Sequence, residues 1–130
     1  MSLAETYEAY IACLNARDLD ELGRYVADGV IHNGRQLGLS GYREMLVGDY
    51  RDIPDLQFRI DFLVVDTSSV ASRLHFDCHP KAEFLGVAVN GRHVVFHENV
   101  FYRFSAGKIE EVWSVIDKAA LEAQLQSLRA

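Results

Sequence analysis

Glu98 is the residue whose surroundings most strongly imply chemistry. It sits in the run RHVVFHENVFYRF (92–104), between Phe96 and Val100 on an alternation of otherwise apolar positions. A carboxylate on such a face is costly unless it is paired, hydrogen-bonded or protonated. Burial raises its pKa toward neutrality, the working range of a general acid or base. The competing reading is a different strand register that leaves Glu98 in water. Ser114 falls on the matching alternation of the run KIEEVWSVI (108–116). No base marks it as a nucleophile, so a serine bonded to backbone is preferred. His32 lies between apolar residues, beside the segments expected to roof the same space. It reads equally as a structural or a functional imidazole.

The other histidines are His75, His79, His93 and His97. His75, His79 and His97 with Asp77 raise the question of a metal site, because same-face strand positions two apart can share an ion. No tight ligand motif is present. A surface or interface cluster without metal is the preferred reading. Asp117 reads as a helix cap and Cys78 as a small core residue. There is no Gly-rich phosphate loop, G-x-S-x-G or C-x-x-C.

These side chains need elements to hold them. Leu3, Tyr7, Tyr10, Ile11 and Leu14 recur at helical spacing, and Asn15 to Arg17 interrupt the stripe. Asp18 and Glu21 predict a capping box for a second short helix, with Leu19, Leu22, Tyr25 and Val26 inside and Gly29 at its end. Val30 to His32 predict a short strand, and Asn33-Gly34 and Gly38 predict turns. Ser40 predicts the cap of a third helix carrying Tyr42, Met45, Leu46 and Tyr50, stopped by Pro54. Four strand-like runs follow: 56–65, 69–79, 92–104 and 108–116. Turns at Asp66–Ser68, Asn90-Gly91 and Ala106-Gly107 predict an antiparallel meander. A last helix carries Leu121, Leu125 and Leu128. The class is therefore α+β: a curved antiparallel sheet with N-terminal helices over its concave face and a C-terminal helix. Residues 1–130 read as one domain.

Alternation along the strands sorts their side chains into two faces. Phe76, Phe96, Val100, Tyr102 and Val112 join Glu98 on the face predicted to line a pocket. His75, His97, Phe101, Arg103, Glu111 and Trp113 fall on the other, with Ile109 among them. That face is too polar for a core and too apolar for a merely wetted surface, which predicts a homodimer through the convex side of the sheet.

Of the 130 residues, 49% are hydrophobic and 25% charged, enough for a core without staples. A net charge of −6 disfavours binding to nucleic acid or to an anionic membrane surface. No apolar run is long enough to span a bilayer, and MSLAETYEAY is not a signal peptide. Two cysteines in unlike surroundings do not make a disulfide scaffold. A cytoplasmic protein is expected.

Arg73–Gly86 (RLHFDCHPKAEFLG), Asn90-Gly91-Arg92, Phe101–Phe104 (FYRF), Gly107–Trp113 (GKIEEVW) and Asp117 with its Leu/Gln-rich tail resemble the SnoaL-like polyketide cyclases and ester cyclases. These belong to the nuclear-transport-factor-two-like superfamily. The resemblance spans almost the whole chain and is most specific over 83–113. It implies a dimeric α+β cone with a hydrophobic pocket. It also implies cofactor-free aldol ring closure, in which an aspartate moves a proton beside a carbonyl with a histidine nearby. By alignment with that pattern, the aspartate position is Ser114 here and the histidine position is Val100. Glu98 stands where many relatives carry glycine.

Two functions follow as expectations. One is a cyclase or isomerase that moves protons on a small hydrophobic carbonyl compound without a cofactor. Glu98 would be its base, and His32 and Ser114 would stabilise the oxyanion. The other is a non-catalytic ligand-binding or dimer-scaffold domain of the same fold.

Overall fold

Ser2 and Glu5 open the first helix with a reciprocal pair of bonds. The Ser2 hydroxyl accepts from the Glu5 amide, and the Glu5 carboxylate accepts from the Ser2 amide. The computed structural model describes residues 1–129. The side chains of Leu128 and Arg129 lie outside that description, and so does the expected inward position of Leu128. Helix α1 (Leu3–Ala16) buries Tyr7, Tyr10, Ile11 and Leu14 and ends at Arg17, whose φ of 56° is left-handed.

The expected second helix is a single 3-10 stretch, Leu19–Arg24. Asp18 makes no side-chain capping bond there, so the capping box at Asp18 and Glu21 is not formed. Six residues with Gly23 among them are too few for a stable α-helix. Val26 has instead joined strand β1 (Val26–His32), which runs through Gly29 and does not start after it. The last strand captures this segment: Ile109 donates its amide to the Tyr25 carbonyl.

Strand β2 (Arg35–Gln36) returns over the Asn33-Gly34 turn. Helix α2 (Gly38–Asp52) begins two residues before Ser40, which lies inside it and caps nothing. Gly38, at φ 69°, supplies the left-handed entry. Pro54 follows the C-cap Ile53, as expected.

The four long strands are β3 (Arg59–Val65), β4 (Ser69–Cys78), β7 (Val94–Ser105) and β8 (Lys108–Ile116). The first starts three residues later than expected. Asn15 holds Phe58 outside the ladder, donating to its carbonyl at 2.8 Å and accepting from its amide at 2.7 Å. Between β4 and β7 lies a small separate hairpin, β5 (Glu83–Phe84) with β6 (Val87–Ala88), that periodicity is too short to signal. Ala106 and Gly107, at φ 51° and 77°, make the two-residue turn from β7 to β8.

The strand order is β2-β1-β8-β7-β4-β3. The long strands form the expected antiparallel meander, but β1 pairs parallel with β8. The sheet is therefore mixed and open, not wholly antiparallel. Besides the register shift between Val26 and Ile31 where β1 meets β8, two bulges adjust its faces. One places Glu110 between the pairs Arg103↔Glu111 and Phe104↔Ile109, so Ile109 turns inward and is fully buried. That corrects its expected place on the outer face. The other places Asp61 between Ile60↔Leu74 and Phe62↔Arg73.

Helices α1 and α2 cover the concave face in one core that includes Leu22, Leu74, Phe96 and Ile109. Helix α3 (Lys118–Arg129) packs on β7, and Asp117 caps it by accepting from the Ala120 amide at 3.1 Å. Gln124 of α3 clasps the Val95 backbone, accepting from its amide and donating to its carbonyl. Among the described residues no helix is long and apolar enough to cross a membrane.

Candidate active site

Strand β7 presents Phe96, Glu98, Val100 and Tyr102 to the concave side, where α1 and α2 lie over them. Glu98 is paired across to Leu74 of β4 and to Ile116 of β8. The space between sheet and helices is a cavity of two small lobes, of about 60 and about 50 Å³. Glu98, Asp49 and Phe58 line both lobes. Phe76, Phe84, Phe96 and Ile116 complete much of the first. Tyr10, His32, Tyr42, Tyr102, Val112 and Ser114 surround the second.

The eight residues read from the sequence as pocket residues all reach this cavity. Phe76 and Phe96 line the first lobe. His32, Val100, Tyr102, Val112 and Ser114 line the second, and Glu98 stands between the two. Asp49 joins them unannounced. Its signal was available: Tyr42, Met45, Leu46 and Asp49 stand at i, i+3, i+4 and i+7, so Asp49 continues the inward stripe of α2.

The electrostatics of the cavity follow from the burial of its ionisable groups. Burial pushes the Glu98 carboxyl up to about 7, and the Asp49 charge adds to the rise while the Ser114 hydroxyl opposes it. Burial likewise pushes Asp49 up to about 6, with help from Asp52. His32 is held below its ordinary value, first by burial and then by the Arg35 charge, so its imidazole is neutral near pH 7. Tyr10, Tyr42 and Tyr102 are raised by burial and stay protonated. They remain hydrogen-bond donors.

Their hydroxyls are partly committed. Tyr10 and Tyr42 are bonded to each other at 2.7 Å, and Tyr7 donates to Tyr102 at 3.3 Å. One hydrogen suffices for the Tyr10–Tyr42 bond, which leaves the pair a second O–H to offer. Ser114 is fixed by Asn33, which donates to its carbonyl at 3.2 Å and accepts from its amide at 2.8 Å. His32 packs edge-on to the Tyr42 ring, with centroids 6.2 Å apart. A carboxyl poised near neutrality, a second carboxyl and neutral donors share one small apolar space. Such a set can take up, hold and return a proton.

Apart from Ile109, the outer face carries the residues expected there. Phe101 and Trp113 are exposed, and Arg103 bonds Glu111 and lies 5.3 Å over the Trp113 ring. The histidines do not group as His75, His79, His97 and Asp77. His79 pairs with Asp55, His93 pairs with Asp77, and His75 and His97 meet Asp61. Residues 75 and 97 face each other across the ladder, while Asp77 lies opposite Val95 and finds His93 instead. Asp61 was not singled out, although it follows Ile60, whose partner Leu74 faces inward, and so alternates onto this face.

A family model described as SnoaL-like polyketide cyclase matches residues 4–125. Among solved structures, a SnoaL-like polyketide cyclase from Agrobacterium tumefaciens strain C58 is 54% identical, with a TM-score of 0.95 over 96% of this chain and 98% of that one. AclR from Streptomyces galilaeus, described as a candidate hydroxylase, is 25% identical, with a TM-score of 0.75 over 97% and 98% of the two chains. IdmH from Streptomyces antibioticus has the same fold at 21% identity, with a TM-score of 0.83 over 97% and 99%. Among curated proteins, none matches this sequence.

Proposed function

From the premise that the chain belongs to the SnoaL-like polyketide cyclase family, we propose that it is a cofactor-free proton-transfer enzyme, a cyclase or isomerase of a small hydrophobic carbonyl compound. One observation carries this reading. Glu98 lies on the wall common to both lobes, and burial holds its carboxyl near neutrality.

The Glu98 carboxylate removes a proton from the carbon next to the substrate carbonyl. The bonding pair left on carbon delocalises onto oxygen as an enolate. The free phenol hydrogen of the Tyr10–Tyr42 pair, the Ser114 hydroxyl and neutral His32 surround the lobe in which that oxyanion would sit. Donors already in place there cost no reorganisation when charge develops. In an isomerase, the Glu98 carboxylic acid returns its proton to another carbon. In a cyclase, the enolate carbon bonds to a second carbonyl carbon, and the same proton goes to the new alkoxide. The ledger closes without oxidant or cofactor. Lobes this small weigh against a multi-ring substrate.

Deuterium exchange tests the reading. Acetophenone and other aryl methyl ketones are incubated with the protein in heavy water, and loss of the methyl proton signal is followed by NMR. The wild type should accelerate exchange and Glu98→Gln should not. Equal exchange by Glu98→Gln would remove Glu98 from its role. No acceleration by the wild type across the panel favours the ligand-binding or scaffold function.

A further inference from the structure

Asp61, His75 and His97 meet on the outer face of the sheet, one from each of β3, β4 and β7. His75 and His97 stand directly opposite in the β4–β7 ladder, which is what brings their rings together. Asp61 follows Ile60, whose partner Leu74 faces inward, so alternation puts its carboxylate on this face beside His97.

Two of the distances are those of a coordination polyhedron. His97 Nε2 lies 3.3 Å from His75 Nδ1 and 3.2 Å from Asp61 Oδ2. All three donor atoms lie within 4.8 Å of one another. A tetrahedral zinc ion with bonds of about 2.0–2.1 Å sets its ligand atoms about 3.3 Å apart. Two edges of the cluster already have that length.

Hydrogen bonding satisfies the arrangement less well. Nε2 of His97 carries at most one hydrogen. If it is protonated, it donates to Asp61 or to His75. If it is not, it accepts from His75 and confronts the carboxylate lone pairs. A cation in place of that hydrogen satisfies all three groups together. Two imidazoles and a carboxylate suit a borderline transition ion and not calcium or magnesium.

We propose that Asp61, His75 and His97 form a site for one divalent transition-metal ion of the zinc class, with a coordination position left open. The site is distinct from the cavity. His97 and Glu98 are neighbours in β7 but point to opposite faces of the sheet. An ion there clamps the edge strand β3, at its bulge, to β4 and β7.

The test uses the full chain without an affinity tag, stripped with EDTA. It is titrated with Zn2+ by calorimetry and with Co2+ by visible absorption. The expected result is one ion per chain, cobalt bands of a four-coordinate nitrogen and oxygen site, and a rise in the thermal midpoint with Zn2+. His75→Ala and His97→Ala should each weaken binding by about tenfold or more. His79→Ala, at a side chain that touches Asp55 and the His93 ring but none of the three ligands, should bind as wild type does. Circular dichroism separates loss of a ligand from loss of fold. No saturable binding by the wild type overturns the proposal, and so does binding that survives His75→Ala with His97→Ala. Neither result bears on the exchange reaction at Glu98.

Discussion

Glu98 and Asp49 reach the same cavity from different layers, Glu98 from strand β7 and Asp49 from the covering helix α2. Each carboxyl is raised by burial, Glu98 to about 7 and Asp49 to about 6. Environment thus raises two carboxyls together, so that both exchange protons near neutrality.

Glu98 should weaken the fold as pH rises. Its folded pKa of about 7 lies above the ordinary 4.5, so between these values the folded state holds a proton that the unfolded chain has lost. Stability falls with pH wherever the folded state binds more protons. The contribution is full below pH 4.5 and is lost as pH passes through about 7. Relative to Glu98→Gln, the wild type should lose on the order of 3 kcal/mol across that window. Urea unfolding of both proteins from pH 4 to 8 measures it. Parallel curves would mean that Glu98 is open to water.

Asp49→Asn should lower the Glu98 pKa. The Asp49 charge is one cause of the rise at Glu98, and removing a nearby like charge favours the ionised form. Carbon-13 NMR of labelled glutamate carboxyls reads this directly. If proton transfer runs through Glu98, the acid limb of the pH–rate profile should move down by the same amount. An unmoved Glu98 titration would separate the two carboxyls.

How much of this was legible depended on whether one strand or two encoded it. The alternation along β7 belongs to a single segment, and it placed Phe96, Glu98, Val100 and Tyr102 on one face. Bulges are properties of a pair of strands. Neither Asp61 nor Glu110 carries a local mark of one, so the inward turn of Ile109 was invisible. The same holds for β1. Gly29 looks like a helix stop, yet parallel pairing with β8 draws Val26–His32 into the sheet. Asp49 was different: the helical stripe that includes Tyr42 and Leu46 pointed to it, and its polarity hid it.

Asn33→Ala should destabilise the protein by about 1–3 kcal/mol. Its side chain makes both bonds to the Ser114 backbone, where β1 and β8 part company. Its φ of 47° is left-handed, which alanine also resists. Asn33→Gly removes the two bonds without that strain, so the difference between the variants isolates the backbone term. Chemical denaturation gives both numbers. If both variants match the wild type, the clasp contributes nothing.

The outer face should join two copies of the chain. Phe62, Val64, Phe101, Trp113 and Val115 are all exposed there, and few monomers leave so many large apolar side chains together. Arg103, held by Glu110 and Glu111 beside Trp113, gives that patch a charged border. Sedimentation velocity at micromolar concentration should therefore return twice the chain mass of 14.7 kDa. Phe101→Glu with Val115→Glu should weaken the dimer on the order of a hundredfold, because each new charge faces a partner surface without water. Both side chains are exposed in the single chain, so the fold should survive and circular dichroism should be unchanged. A wild type that sediments as a monomer would leave the apolar face without the partner assigned to it.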